Sequence, residues 1–135
     1  MAERKGQIYL GAMAALWLVF GVITIFYPRL MELFMTERGR EADTAFSRQL
    51  WIHEGFDILA VTLLLFILSR MTITAMTLRA AAAVVLFPTA AILYTFITTP
   101  FWSVAFLILA VVMVGLALYG FVLARSASDA AARAT

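Results

Sequence analysis

Four apolar runs, each about as long as a bilayer is thick, follow one another along this chain with only short polar segments between them. A hydrocarbon core about 30 Å thick takes about 20 residues of helix. In a medium without water every backbone N–H and C=O must be satisfied within its own segment, so such runs are helical. The pattern predicts helices over residues 8–27, 48–69, 78–96 and 101–124. Four spans and their loops use up the 135 residues. The expected fold class is therefore an all-α integral membrane four-helix bundle, a single membrane domain over 1–135, with no soluble domain.

Composition agrees. Only 13% of the residues are charged against 64% hydrophobic, at a mean hydropathy of +0.99, whereas soluble domains carry about 25% charged residues. There is no cysteine, which excludes disulfides, thiolate metal sites and cysteine nucleophiles. The net charge of +2 is small, and Lys and Arg cluster beside helix ends, so they read as topology determinants and nucleic acid is not an expected partner.

Arg4 and Lys5 precede the first run as they would in a signal peptide, but the run is long and is ended by Tyr27-Pro28, which reads as a retained span. Six basic residues (Arg4, Lys5, Arg70, Arg79, Arg125 and Arg133) fall on the side of the termini. Four (Arg29, Arg38, Arg40 and Arg48) fall opposite, in one acid-rich loop. This bias predicts both termini in the cytoplasm of a multi-pass protein of the inner (plasma) membrane. Tyr27, Trp51, Tyr94 and Trp102 fit an outer aromatic belt, with Tyr9 and Tyr119 at the inner face. In the first loop, Leu30, Met31, Leu33, Phe34 and Met35 alternate with Glu32, which fits either an amphipathic interfacial turn or an ordinary charged loop. Pro88 inside the third helix frees the carbonyl of Val84. Gly11/Ala15 and Gly120/Ala124 have the four-residue spacing of close helix contacts. The tail after Arg125 is expected to fray.

One constellation carries chemistry. At about 100° per residue, His53, Asp57 and Glu54 lie at about 0°, 40° and 100° around the second helix. Asp57 is about 13 Å along the axis from Arg48, a depth at which an ionisable group is costly. The three are therefore expected to face the bundle interior, paired with outer-half groups from Thr24, Tyr27, Thr89, Tyr94, Arg29 or Arg48. Clustered carboxyls beside a histidine suit acid/base work; the same three residues equally suit plain helix-to-helix hydrogen bonding, or headgroup contact for His53. One histidine without cysteine makes no metal site, and no phosphate-binding loop or serine nucleophile motif is present. The helix face continues as Ala60, Val61, Leu64 and Leu68, apolar throughout, which argues for a dead-end pocket over a proton or ion conduit.

Gly21 late in the first helix, Glu54-Gly55 opening the second, Leu63-Leu64-Leu65, Arg70 at its exit and the alanine-rich third helix resemble the DoxX-like and related small four-helix membrane families. Trp51-Ile52-His53 and Asp57 lie outside that pattern. The resemblance implies a bundle. Most such proteins have no assigned activity, and a few look like membrane subunits of quinone-linked oxidoreductases. The sequence thus supports a tetraspan protein with an outer-half polar pocket of His53, Glu54 and Asp57, with Trp51, Thr24, Tyr27, Thr89 and Tyr94 as pocket walls. The pocket would bind a lipophilic small molecule or a partner subunit, in a membrane complex or homo-oligomer. The alternative is a membrane-embedded acid/base enzyme, needing no cofactor, for isomerisation, cyclisation or epoxide opening of an isoprenoid, sterol-like or quinone substrate. A proton-coupled oligomeric transporter is a third reading.

Overall fold

A computed structural model describes residues 2–132. Helix α1 (Ala2–Phe26) is followed by a 3-10 segment (Pro28–Phe34) and a short helix α2 (Glu37–Ala42). Three long helices complete the chain: α3 (Ala45–Arg70), α4 (Ala75–Thr98) and α5 (Val104–Ala132). The four long helices are each long and apolar enough to cross a membrane. Among the described residues there is no strand, only one bridge between Met35 and Trp102.

Helix ends differ from the sequence expectation for local reasons. Helix α3 begins at Ala45 because Thr44 and Ser47 form a reciprocal capping box, which satisfies two otherwise orphaned donors. Thr74 caps α4 through the Thr77 amide, so α4 also starts early. Helix α5 runs on through Ser126 and Ser128, whose hydroxyls donate to Val122 and Ala124 carbonyls. The tail expected to fray is thus helical to Ala132, and Arg133 lies outside the described residues.

Helix packing is uneven. α1 lies along α3, α4 lies along α5, and α1 touches α5, giving the spatial order α3–α1–α5–α4. α3 and α4, though consecutive, barely meet. The α1–α3 crossing is set by glycine: a Cβ at Gly55 would lie 2.6 Å from Ile25 Cγ1 and 3.2 Å from the Gly21 carbonyl, and one at Gly21 would lie 2.8 Å from Leu59 Cδ2. Small residues let two backbones approach where hydrophobic driving force is absent. Toward the end of the bundle that carries the termini, α1 and α3 part around an open groove of about 990 Å³ that includes Gly11, Ala15 and Phe66. Gly11 and Ala15 therefore form no helix contact, contrary to their spacing, whereas Gly120 and Ala124 are buried as expected. The α1–α5 contact is pinned by Tyr9, whose phenol donates to the Leu116 carbonyl at 3.0 Å and meets Tyr119 edge-on.

The opposite end is roofed. The first loop folds back over the bundle end as a 3-10 segment and a short helix. Met31 and Met35 are buried while Leu30 and Leu33 face outward. The Thr36 amide donates to the Phe101 carbonyl at 2.9 Å and the Ser103 amide to the Phe34 carbonyl at 2.8 Å, stitching the loop to the α4–α5 connection. The Thr36 hydroxyl adds a bond to the Pro100 carbonyl, and Arg40 reaches back to the Met35 carbonyl. Gly39 packs against the Phe101 carbonyl so closely that no Cβ fits.

Gly55→Val should lower the thermal midpoint of detergent-solubilised protein by the equivalent of about 1–3 kcal/mol through overpacking. Gly115→Ala, where nothing lies within 4 Å, should leave it unchanged or raise it slightly. Circular-dichroism melts of the two variants check this.

Candidate functional site

Beneath the roof lies a cavity of about 270 Å³. Every long helix contributes: Trp17 and Thr24 from α1, Trp51 and Glu54 from α3, Pro88 and Thr95 from α4, Phe106 and Met113 from α5. Met31 and Trp102 close it from the roof side. A cleft of about 720 Å³ runs down the open side between α3 and α4, edged by Asp57, Val61, Val84 and Phe87. Cavity and cleft share Trp17, Glu54, Ile58, Pro88 and Ala91 as common walls. The cavity therefore adjoins the flank of the bundle through these walls.

The aromatic walls are built by packing. Trp102 stacks on Phe106 at 4.1 Å and receives Trp51 edge-on at 5.4 Å. Phe34 bridges Phe20 and Phe106 from the roof. The indole N–H groups of Trp17 and Trp51 have no hydrogen-bond partner, and both are enclosed by neighbouring atoms. An enclosed unpaired donor costs about 1–3 kcal/mol.

The ionisable trio splits according to helix angle. The buried residues of α3 are Gly55, Ile58, Thr62 and Leu65, at about 200°, 140°, 180° and 120° on the scale that puts His53 at 0°. The buried stripe thus centres near 160°. Glu54, about 60° away, reaches the cavity edge. Asp57, about 120° away, reaches only the cleft mouth. His53 is on the far side and lines neither space. The expectation that all three face the interior is corrected: His53 and Asp57 side chains are 78% and 68% exposed, and Glu54 is exposed as well. Their pairing is also different. His53 Nδ1 lies 3.4 Å from Asp57 Oδ2, one turn along the same helix, and Glu54 has no ion-pair or hydrogen-bond partner among the described residues.

The expected partners are engaged elsewhere. Thr24 donates to the Phe20 carbonyl and Thr89 to the Val85 carbonyl, each at 2.8 Å. A helical threonine donates to the carbonyl one turn back, which accepts it alongside the helix bond, so neither hydroxyl proton is available to an acid. Thr24 still lines the cavity; Thr89 is buried away from it. Tyr27 and Tyr94 are 62% and 68% exposed and lie outside the cavity. Arg48 pairs with Asp43 at 2.9 Å. Phe20, Met31, Trp102 and Phe106 were not legible as cavity residues, because their positions depend on the roof folding back over the bundle. No group of three or more His, Asp or Glu residues is placed to hold a metal ion among the described residues.

Comparison with protein-family models, with curated proteins and with solved structures finds no match. The DoxX-like resemblance therefore stands only on the residues quoted for it.

Asp43 anchors the roof to the start of α3. Its burial works against the carboxylate, but hydrogen bonds from Ser47 and Arg48, the Arg48 charge and the Thr44 amide outweigh this and hold its pKa below the ordinary value. A carboxyl whose folded pKa is depressed stabilises fully above its unfolded pKa, about 3.9, and loses that contribution as pH falls through the folded value. Acidification below about pH 4 should therefore lower the protection factors of the Ser47 and Arg48 amides, that is, raise their exchange relative to the intrinsic rate at each pH. Asp43→Asn should show the same lost protection at neutral pH, at a cost of about 1 kcal/mol given the part-exposed arginine, and remove the acid dependence.

Proposed function

We propose that this chain is a multi-pass protein of the plasma membrane that binds a lipophilic small molecule in the roofed cavity, the molecule entering sideways from the bilayer through the α3–α4 cleft. The observation that carries this reading is the junction of a mostly apolar, aromatic-walled cavity with a cleft on the bundle flank, sharing the walls Trp17, Glu54 and Pro88. Small-molecule sites are concave, mostly apolar and fitted with few polar groups, and between helices of a bundle is a usual place for them. At about 270 Å³ the cavity suits a small ligand, or the head of a longer one whose tail lies in the cleft.

Orientation follows the charge bias. Arg4, Lys5, Arg70, Arg79 and Arg125 stand at the termini end, which favours that end in the cytoplasm and the roof outside.

Binding is preferred to catalysis for one reason. Acid/base chemistry on a substrate in the cavity calls for two positioned groups, and of the trio only Glu54 reaches it, the His53–Asp57 pair being turned outward. The test is native mass spectrometry of protein released from its own membranes. A small molecule should accompany each chain and should be absent from Ala91→Trp, which fills the shared wall. Finding the same adducts on both proteins, or none on either, would remove this reading.

A further inference from the structure

The walls determine what kind of head group the cavity can satisfy. The Thr24 and Thr95 hydroxyl protons are spent on Phe20 and Ala91 carbonyls of their own helices. The Trp17 and Trp51 indole N–H groups are buried and carry no hydrogen bond. Among the described residues no Lys or Arg lines the cavity or the cleft. A ligand whose polar group is a phosphate or carboxylate would therefore meet two carboxyls and no countercharge here.

What the walls do offer is acceptor and π-electron density. Glu54 stands at the junction of cavity and cleft without a partner. Asp57 adds a second carboxyl at the cleft, with His53 Nδ1 3.4 Å from its Oδ2. An ionised carboxylate only accepts hydrogen bonds, and an unpaired one beside hydrocarbon is costly. The cavity that Glu54 borders is lined by the rings of Trp17, Trp51, Trp102, Phe20 and Phe106. Aromatic walls attract cations, tryptophan most strongly, and quaternary ammonium groups are recognised by such cages.

Resting on the cavity reading above, we infer that the ligand is a lipophilic cation: an amine or quaternary ammonium whose positive centre is held by Glu54 among the tryptophans, with its apolar part toward the cleft. The charge enters along a path whose only ionisable lining groups among the described residues are acidic, Asp57 first and Glu54 second.

The chain supplies its own reporter, since all three of its tryptophans line this cavity. Full-length protein in lipid nanodiscs is titrated with benzyltrimethylammonium and, separately, with its uncharged isostere neopentylbenzene. Intrinsic fluorescence is read and corrected for partition into protein-free nanodiscs. The cation should bind at least about tenfold more tightly than the isostere. Glu54→Gln, which keeps size and hydrogen bonding, should abolish that preference, and Asp57→Asn should reduce it about two- to threefold. Unchanged melting of Glu54→Gln shows that lost preference is not lost fold. Equal affinity for the two probes, or full retention of the cation preference in Glu54→Gln, overturns the cation assignment while leaving the lipophilic cavity standing. Absence of any saturable response to either probe overturns both.

Discussion

The close approach of α1 and α3 at Gly21 and Gly55 is the constraint from which the rest of this structure follows. With no side chain at either position, α3 is drawn against α1. α4 is held by α5, and the two pairs are joined through α1 and α5, with Tyr9 bonded across to the Leu116 carbonyl. That arrangement leaves α3 and α4 unpacked against each other although only four residues separate them. A regular four-helix bundle would close this side with side chains. Here it stays open, and the space continues up to the aromatic cluster beneath the roof.

The roof converts an open flank into a cavity with a floor and a lid. Its attachment is mainly backbone: the Met35–Trp102 bridge, the Thr36 and Ser103 amide bonds and the contact of Gly39 with the Phe101 carbonyl. The Asp43–Ser47–Arg48 network ties the same segment to the first turn of α3, the helix that carries Glu54. Position of the roof and position of the acid are thus mechanically linked through the α3 capping box.

Much of the fold was legible in the sequence, because the demand that membrane-length segments satisfy their own backbone leaves helices as the one solution. Helix number, order and the polar breaks could be read directly from hydropathy. The ends were not, since Thr44 and Thr74 extend α3 and α4 by capping, a local geometry that hydropathy does not register. The site was half legible. The trio on α3 stood out, but charge cost alone was taken to decide which way it faces. In the structure the small and apolar stripe of Gly55, Ile58 and Thr62 decides the helix rotation, and the polar residues take what remains. Thr24 and Thr89 illustrate a second reason: hydroxyls on helices bond their own preceding turn, so their presence near an acid does not make them its partners. The roof residues were out of reach, as their contacts join segments some 65 residues apart in the chain.

The central claim is that α3 and α4 are held apart along a cleft that adjoins the cavity, and a cysteine-free chain allows it to be measured directly. Val61→Cys and Val84→Cys, placed together, put one thiol on each edge of that cleft. A disulfide requires Cα atoms within about 7 Å. In native membranes the account predicts that oxidation leaves the pair as free thiols, while a flexible bismaleimide long enough to span the gap links them. Rapid disulfide formation between the two positions would mean that α3 and α4 close on each other, contradicting both the cleft and everything built upon it.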